Sequence, residues 1–423
     1  MADDVNPNAL NQQGRPVDDV VAELVGKRAG DIRWEDGRAF GMIYDGGPTV
    51  HQVAEEAAKL YLHENALNTA AFPSLGEIQK EVVTWTANLL NGPNASGFMT
   101  SGGTESILCS VLSARERHHH ERGIDRPEMI VAESGHAAFH KGAHLFGIEI
   151  HSVPVKDDWT ADVDAMASLI NENTILMVGS APQYPQGVID PIGELAAVAD
   201  EAGINFHVDA CMGGFVLPFA ERLGRNVPEW DFRVPGVTSI SADVHKLGYA
   251  PKGASVVLHR DKNLRRYQTF VFDGWLGGFY ASPNLQGTRS GLPMATAWAV
   301  MSHLGIDGYV ELTRQALENA DQMRAGINAI DGIKVLGDGD LHLIGFAADE
   351  ASDRDIDVFA LADALQARGW YHDRQGPPDN LHSTVSNSNT GVIDEYLVAL
   401  RECVDEVAGT RTDDRSTQYA TLE

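Results

Sequence analysis

The sequence predicts an α/β protein: a mainly parallel seven-stranded sheet with helices on both faces, followed by a smaller C-terminal α+β domain. Three observations lead there. Short apolar segments alternate with helical patterns between about residues 97 and 259. The connection from 242 to 254 is too short for a helical crossover. From about residue 292 the pattern changes to long helices with only short strand-like pieces.

Taken in order, strand-like segments fall at 97–100, 129–132, 149–154, 175–179, 205–209, 238–242 and 254–259. Helical periodicity fills 104–121, 136–146, 163–171 and 192–202 between them, which makes most neighbours parallel. The short link before 254 makes the last pair antiparallel. Helices at 293–304, 308–330, 356–368 and 393–407, with strands at 333–336 and 342–347, complete the smaller domain. The expected division is an N-terminal segment 1–50, a large domain 51–291 and a small domain 292–423 with a polar tail. Residues 1–15 and the stretch from 409 are polar and are expected to be loosely ordered.

Composition narrows the function. The 423 residues include 32 basic and 60 acidic side chains, a formal charge of −28 that repels nucleic-acid phosphates and anionic membranes. The three cysteines, Cys109, Cys211 and Cys403, are far apart and lack metal-binding spacing, so no metal is expected. The polar N terminus has no signal-peptide core and no apolar run approaches the ~20 residues of a membrane span, so a cytoplasmic protein is expected.

Three strand ends carry chemistry. Thr100-Ser101-Gly102-Gly103-Thr104-Glu105 runs from a strand into a helix, where backbone amides can receive an anion; no Gly-Lys-Ser/Thr follows, so it is not a nucleotide P-loop. His207-Val208-Asp209 ends a strand in an acid. Facing a pyridine nitrogen at ~3 Å, a carboxylate contributes about 5 kcal/mol of gross attraction at an effective dielectric of 20, enough to keep that nitrogen protonated. Ser241-Ala242-Asp243-Val244-His245-Lys246 ends a third strand in an amine. Each alone is better explained by a turn, a loop-capping acid or a surface lysine. Together, an anion cradle, a ring acid and an imine-forming amine are the requirements of pyridoxal 5′-phosphate, and Ser134-Gly135-His136 adds an imidazole able to stack on its ring.

The segments TSGGTESIL, HAAFHKGAHLFG, HVDACMGGFVLPF, SISADVHKLGYAPKGASVVL and GGFYASPNLQGTR resemble the sphingosine-1-phosphate lyases, in the group II decarboxylase branch of the fold-type I pyridoxal phosphate enzymes. The resemblance runs from about residue 41 to 332 and implies that fold. It implies that Lys246 condenses with the cofactor aldehyde, Asp209 meets the ring nitrogen and His136 stacks on the ring. Gly103, Thr104 and His245 would hold the phosphate, with Gly287 and Thr288 reaching it from the neighbouring subunit of a homodimer. Tyr44, Asn65 and Lys252 match positions that line the substrate pocket, Tyr44 and Lys252 also assisting catalysis. One departure stands out: Asn68 occupies the place of a histidine that contacts the substrate phosphate, and it offers a hydrogen bond without a charge.

The implied reaction is retro-aldol cleavage of a phosphorylated β-hydroxy amine to an aldehyde and an amine. An amino-acid α-decarboxylase on the same scaffold is the alternative, and a non-catalytic cofactor carrier is a third. His118-His119-His120 reads as a solvated helix surface, Cys211 as core, and Trp275, Phe279 and Tyr280 as aromatics near the pocket mouth.

Overall fold

Strands buried along their whole length, such as TILMVGS, can be satisfied only between two helical layers. In a computed structural model, which describes residue 10 and residues 13–417, that is where they lie. The strands are β1 (Ser96–Thr100), β2 (Glu128–Ala132), β3 (Glu149–Val153), β4 (Thr174–Ser180), β5 (Asn205–Asp209), β6 (Ser239–Ala242) and β7 (Ser255–His259). They form one sheet in the order β1-β7-β6-β5-β4-β2-β3. The β6–β7 pair is antiparallel, as its short link requires, and so is β1–β7; the remaining pairs are parallel.

The helices are α1 (Val17–Lys27), α2 (Pro48–Leu60), α3 (Pro73–Leu89), α4 (Gly103–Arg122), α5 (Ala138–Phe146), α6 (Val163–Ser168), α7 (Ile192–Glu201) and α8 (Leu217–Arg222). After the short α9 (Lys262–Arg265) come α10 (Leu292–Asn328), α11 (Val358–Ala367) and α12 (Ile393–Val407). The two helices expected around residue 305 are both present within α10 and meet at a kink at Gly305, whose φ of 54° and ψ of −172° leave the helical region. A two-stranded hairpin, β8 (Phe270–Phe272) with β9 (Tyr280–Ser282), had no counterpart in the strand pattern.

One apolar core fills the space around the sheet and a second lies beneath a four-stranded antiparallel sheet. That smaller sheet has the order β10 (Ile333–Leu336), β11 (Leu343–Ala348), β13 (Asn380–Thr384), β12 (Asp373–Gln375). Phe40 belongs to the second core: its amide donates to Tyr371 O, its carbonyl accepts from Thr384 N, and its ring stacks 4.9 Å from His372.

Two expectations need correction. The stretch 409–417 is held to the small domain, because Arg411 pairs with Asp355, and Arg415 with Asp357 and Asp379. Residues 1–9, 11–12 and 418–423 lie outside the described part. His118 is fully buried and contacts Asn205 Oδ1 at 3.1 Å, while His119 and His120 are exposed. Successive helical residues are rotated by about 100°, so one of three adjacent histidines turns towards the sheet.

Candidate active site

A parallel sheet delivers the carboxyl ends of its strands to one edge, where ligands bind. Strand β1 shares that edge, because two antiparallel steps, β1–β7 and β7–β6, restore its direction. The ends of β2, β4, β5 and β6 open into a cleft lined by Ser134, His136, Ser180, Pro182, Gln183, Tyr184, Asp209, Cys211, Met212 and Lys246. The first turn of α4 approaches from β1: a side chain at Gly103 would meet Asp243 Oδ2 at 2.7 Å and Cys211 Sγ at 2.8 Å, so the backbone there can come close only as glycine.

Lys246 Nζ stands 3.0 Å from Asp243 Oδ2, and Asp243 is only 1% exposed. Burial works against the charge of Asp243, but Lys246 and His245 outweigh it and hold the carboxyl below its ordinary range. Asp209 closes β5; its Oδ1 accepts the Cys211 N–H at 3.0 Å and the Ser241 hydroxyl at 3.2 Å. His136 Nδ1 accepts the Ala138 amide at 3.1 Å, which leaves the proton on Nε2, and burial lowers its basicity although Asp209 opposes this. His245 Nδ1 accepts the amides of Gly253 and Ala254, at 3.2 and 3.1 Å, and its Cε1 faces Gly102. Burial, ahead of all else, pushes His245 down to about 4, so it is a neutral donor through Nε2.

Lys252 donates to His245 O at 3.1 Å and its ammonium sits 4.4 Å from the Tyr44 ring centroid. Desolvation, then the nearby Lys246 charge, pushes Lys252 down to about 8. Its stem nevertheless keeps exposed surface, so solvent screens part of that effect.

The structure thus brings together Lys246, Asp209, His136, His245, Gly103, Tyr44 and Lys252, with Thr104 next to Gly103 in the first turn of α4. It does not bring the rest of the expected set to the same cleft. Asn65 Oδ1 accepts the Leu67 amide, and the exposed Asn68 accepts the amides of Ala70 and Ala71 in a local turn. Gly287 and Thr288 follow the β8–β9 hairpin, in a segment anchored by Asn284 and Arg289 to Met99 O. Trp275 and Phe279 are 58% and 72% exposed and line no part of the cleft.

Tyr184 is a cleft residue that sequence reasoning missed. Its hydroxyl donates to Asp373 Oδ2 at 2.7 Å and its ring lies 3.9 Å from that of His382, contacts made from the small domain. Ser134 was read only as a neighbour of His136. Its Oγ is buried without a hydrogen bond, an unused donor in the cleft wall. That orphaned hydroxyl, the glycine cradle at Gly103 and the Asp209 carboxylate in the cleft wall are what an aldehyde-bearing pyridine phosphate would engage. Cys211 is buried, and desolvation keeps its thiol protonated, which fits a core residue rather than a nucleophile.

The profile of the pyridoxal-dependent decarboxylase conserved domain matches residues 7–349. Sphingosine-1-phosphate lyase of Oryza sativa subsp. japonica is 41% identical over 397 residues, 92% of this chain and 72% of that protein. Sphingosine-1-phosphate lyase 1 of Rattus norvegicus is 40% identical over 402 residues, 94% of this chain and 70% of that one. A solved structure of the Burkholderia pseudomallei sphingosine-1-phosphate lyase superposes with a TM-score of 0.90 at 39% identity, covering 94% of this chain and 92% of its own. Glutamate decarboxylase of Lactobacillus brevis, at 22% identity, TM-score 0.82 and 96% coverage of both chains, shares the fold.

Proposed function

Because the chain belongs to the pyridoxal-dependent decarboxylase family and is a pyridoxal 5′-phosphate-dependent carbon–carbon lyase, we propose that it cleaves a phosphorylated long-chain β-hydroxy amine of the sphingosine-1-phosphate type. The observation carrying this is the 39% identity and 0.90 TM-score to a lyase of that specificity, combined with Lys246 and Asp209 in one cleft.

When bound, the cofactor supplies an electron sink for the pair left on Cα as the Cα–Cβ bond breaks. Lys246 would hold the aldehyde carbon, Asp209 the ring nitrogen and His136 the ring face. Ser134, His245, Gly103 and Thr104 would hold the remaining oxygens. Lys252 is the base of choice for the substrate hydroxyl, since a lysine near 8 is partly neutral at physiological pH. The proton moves to Lys252 and the hydroxyl oxygen becomes the aldehyde carbonyl. Lys246 returns a proton to Cα, and the phosphorylated amine leaves. Tyr44 flattens against the Lys252 ammonium and steadies it.

The same proposal includes a homodimer in the cytoplasm. Phe270, Phe272, Trp275, Leu276 and Phe279 expose a contiguous apolar hairpin, the kind of surface a second copy covers. Asn65, Asn68, Gly287 and Thr288, which stay outside this chain's cleft, would then serve the partner's. Cys109, Cys211 and Cys403 are all free thiols, in keeping with a reducing compartment. The test is to supply cofactor-loaded protein with sphingosine 1-phosphate and, separately, with amino acids. Long-chain aldehyde from the first is expected; carbon dioxide from the second without aldehyde overturns the assignment in favour of a decarboxylase.

A further inference from the structure

The register of β5 against β6 sets His207 opposite Ser239 and Asp209 opposite Ser241. Residues two apart on a strand share a face, so these four polar side chains form a buried ladder leading to the cleft. None is more than 7% exposed. His207 Nδ1 lies 2.9 Å from Ser239 Oγ and its Nε2 lies 3.2 Å from Ser241 Oγ. Ser241 Oγ is in turn 3.2 Å from Asp209 Oδ1 and 3.3 Å from Cys211 Sγ.

Chemistry fixes the direction of these bonds. A carboxylate only accepts, and Ser241 has one hydrogen. Were that hydrogen given to His207, two oxygen lone pairs would face each other 3.2 Å apart across Ser241 and Asp209. The hydroxyl therefore points at Asp209, and Ser241 receives the N–H of His207 Nε2 and the Cys211 thiol proton on its two lone pairs. His207 can serve as such a neutral donor because burial holds it down to about 4. With Oδ1 held by Ser241 and the Cys211 amide, the carboxylate has one orientation in the cleft wall.

We propose that Ser241, backed by His207, is a positioning residue that aims Asp209 at the cofactor's ring nitrogen and so keeps that nitrogen protonated. This rests on the cofactor reading above, and the test separates the two. Protein would be loaded with cofactor carrying ¹⁵N in the ring, and the nitrogen shift, kcat and KM measured for wild type, Ser241→Ala and Ser241→Thr. In wild type the shift should lie in the pyridinium range. Ser241→Ala should move it towards free pyridine and lower kcat on the order of tenfold with little change in KM, and the hydroxyl of Ser241→Thr should restore both. With an analogue in which C–H replaces the ring nitrogen, Ser241→Ala and wild type should turn over alike. A wild-type shift retained in Ser241→Ala, or a loss that persists with the analogue, overturns the relay. Should Ser241→Ala not fold, His207→Leu must move the shift and His207→Gln, which keeps a donor, must not; the opposite pattern or no change overturns it equally. Wild-type protein that takes up no labelled cofactor refutes the cofactor assignment itself.

Discussion

At the level of single residues, two positions decide how the lyase would work on its substrate. Lys252, depressed to about 8 by desolvation and by Lys246, becomes neutral as pH rises through that value. Condensation of Lys246 removes one of the two causes and moves Lys252 upward. The rate should therefore climb with pH on a limb at or above 8, and Lys252→Met should abolish the limb along with most of kcat; a pH–rate profile of both proteins checks this. Asn68 offers a phosphate no charge. Asn68→His should lower KM for a phosphorylated substrate by about tenfold and leave that for an unphosphorylated analogue unchanged, as steady-state kinetics on the pair would show. Lys246, Asp209 and the Gly103 turn could be read from the sequence because each sits beside its own strand end. Ser241, His207 and Tyr184 could not, because their meaning lies in register with a neighbouring strand or in contact with Asp373, 189 residues along the chain.

Among the elements, the β8–β9 hairpin carries the sharpest expectation. Leu276, at its tip, is fully exposed, and Trp275 and Phe279 flank it. Changing Trp275 and Leu276 to aspartate should yield a folded monomer with little activity, measured by light scattering on a sizing column and by cofactor content. The seven strands of the main sheet were legible because short segments with apolar residues alternate with helical patterns along this part of the chain, and β2 and β4 to β7 are buried nearly throughout. The hairpin was not, since strands of three residues are too short to show alternation, and β8 is exposed throughout. The same brevity hid β12, and β13 (NLHST) is buried yet mostly polar. Helix α3 did carry a signal, with Pro73 at its start and Leu75, Ile78, Val82 and Val83 along one stripe, the buried face that meets the sheet.

For the molecule as a whole, the buried histidines set its tolerance to acid. Burial first of all holds His207 and His259 down to about 4, and His342, His372 and His382 to about 3. The unfolded chain binds protons at these sites near 6.5 and the folded chain does not, so stability is complete above 6.5 and falls as pH drops towards 4. At pH 5 one such imidazole costs about 2 kcal/mol. Thermal unfolding followed from pH 7.5 to 5 should show a steadily falling midpoint. The setting of Lys246 has a different consequence. Its turn is stitched between two interior strands by bonds from His245 N to Ala254 O and from Ala250 N to Val244 O. Deuterium should reach these amides only when the entire sheet opens. Bleaching of the yellow holoprotein on heating would then coincide with its melting, and no earlier breathing motion would let the vitamin slip away.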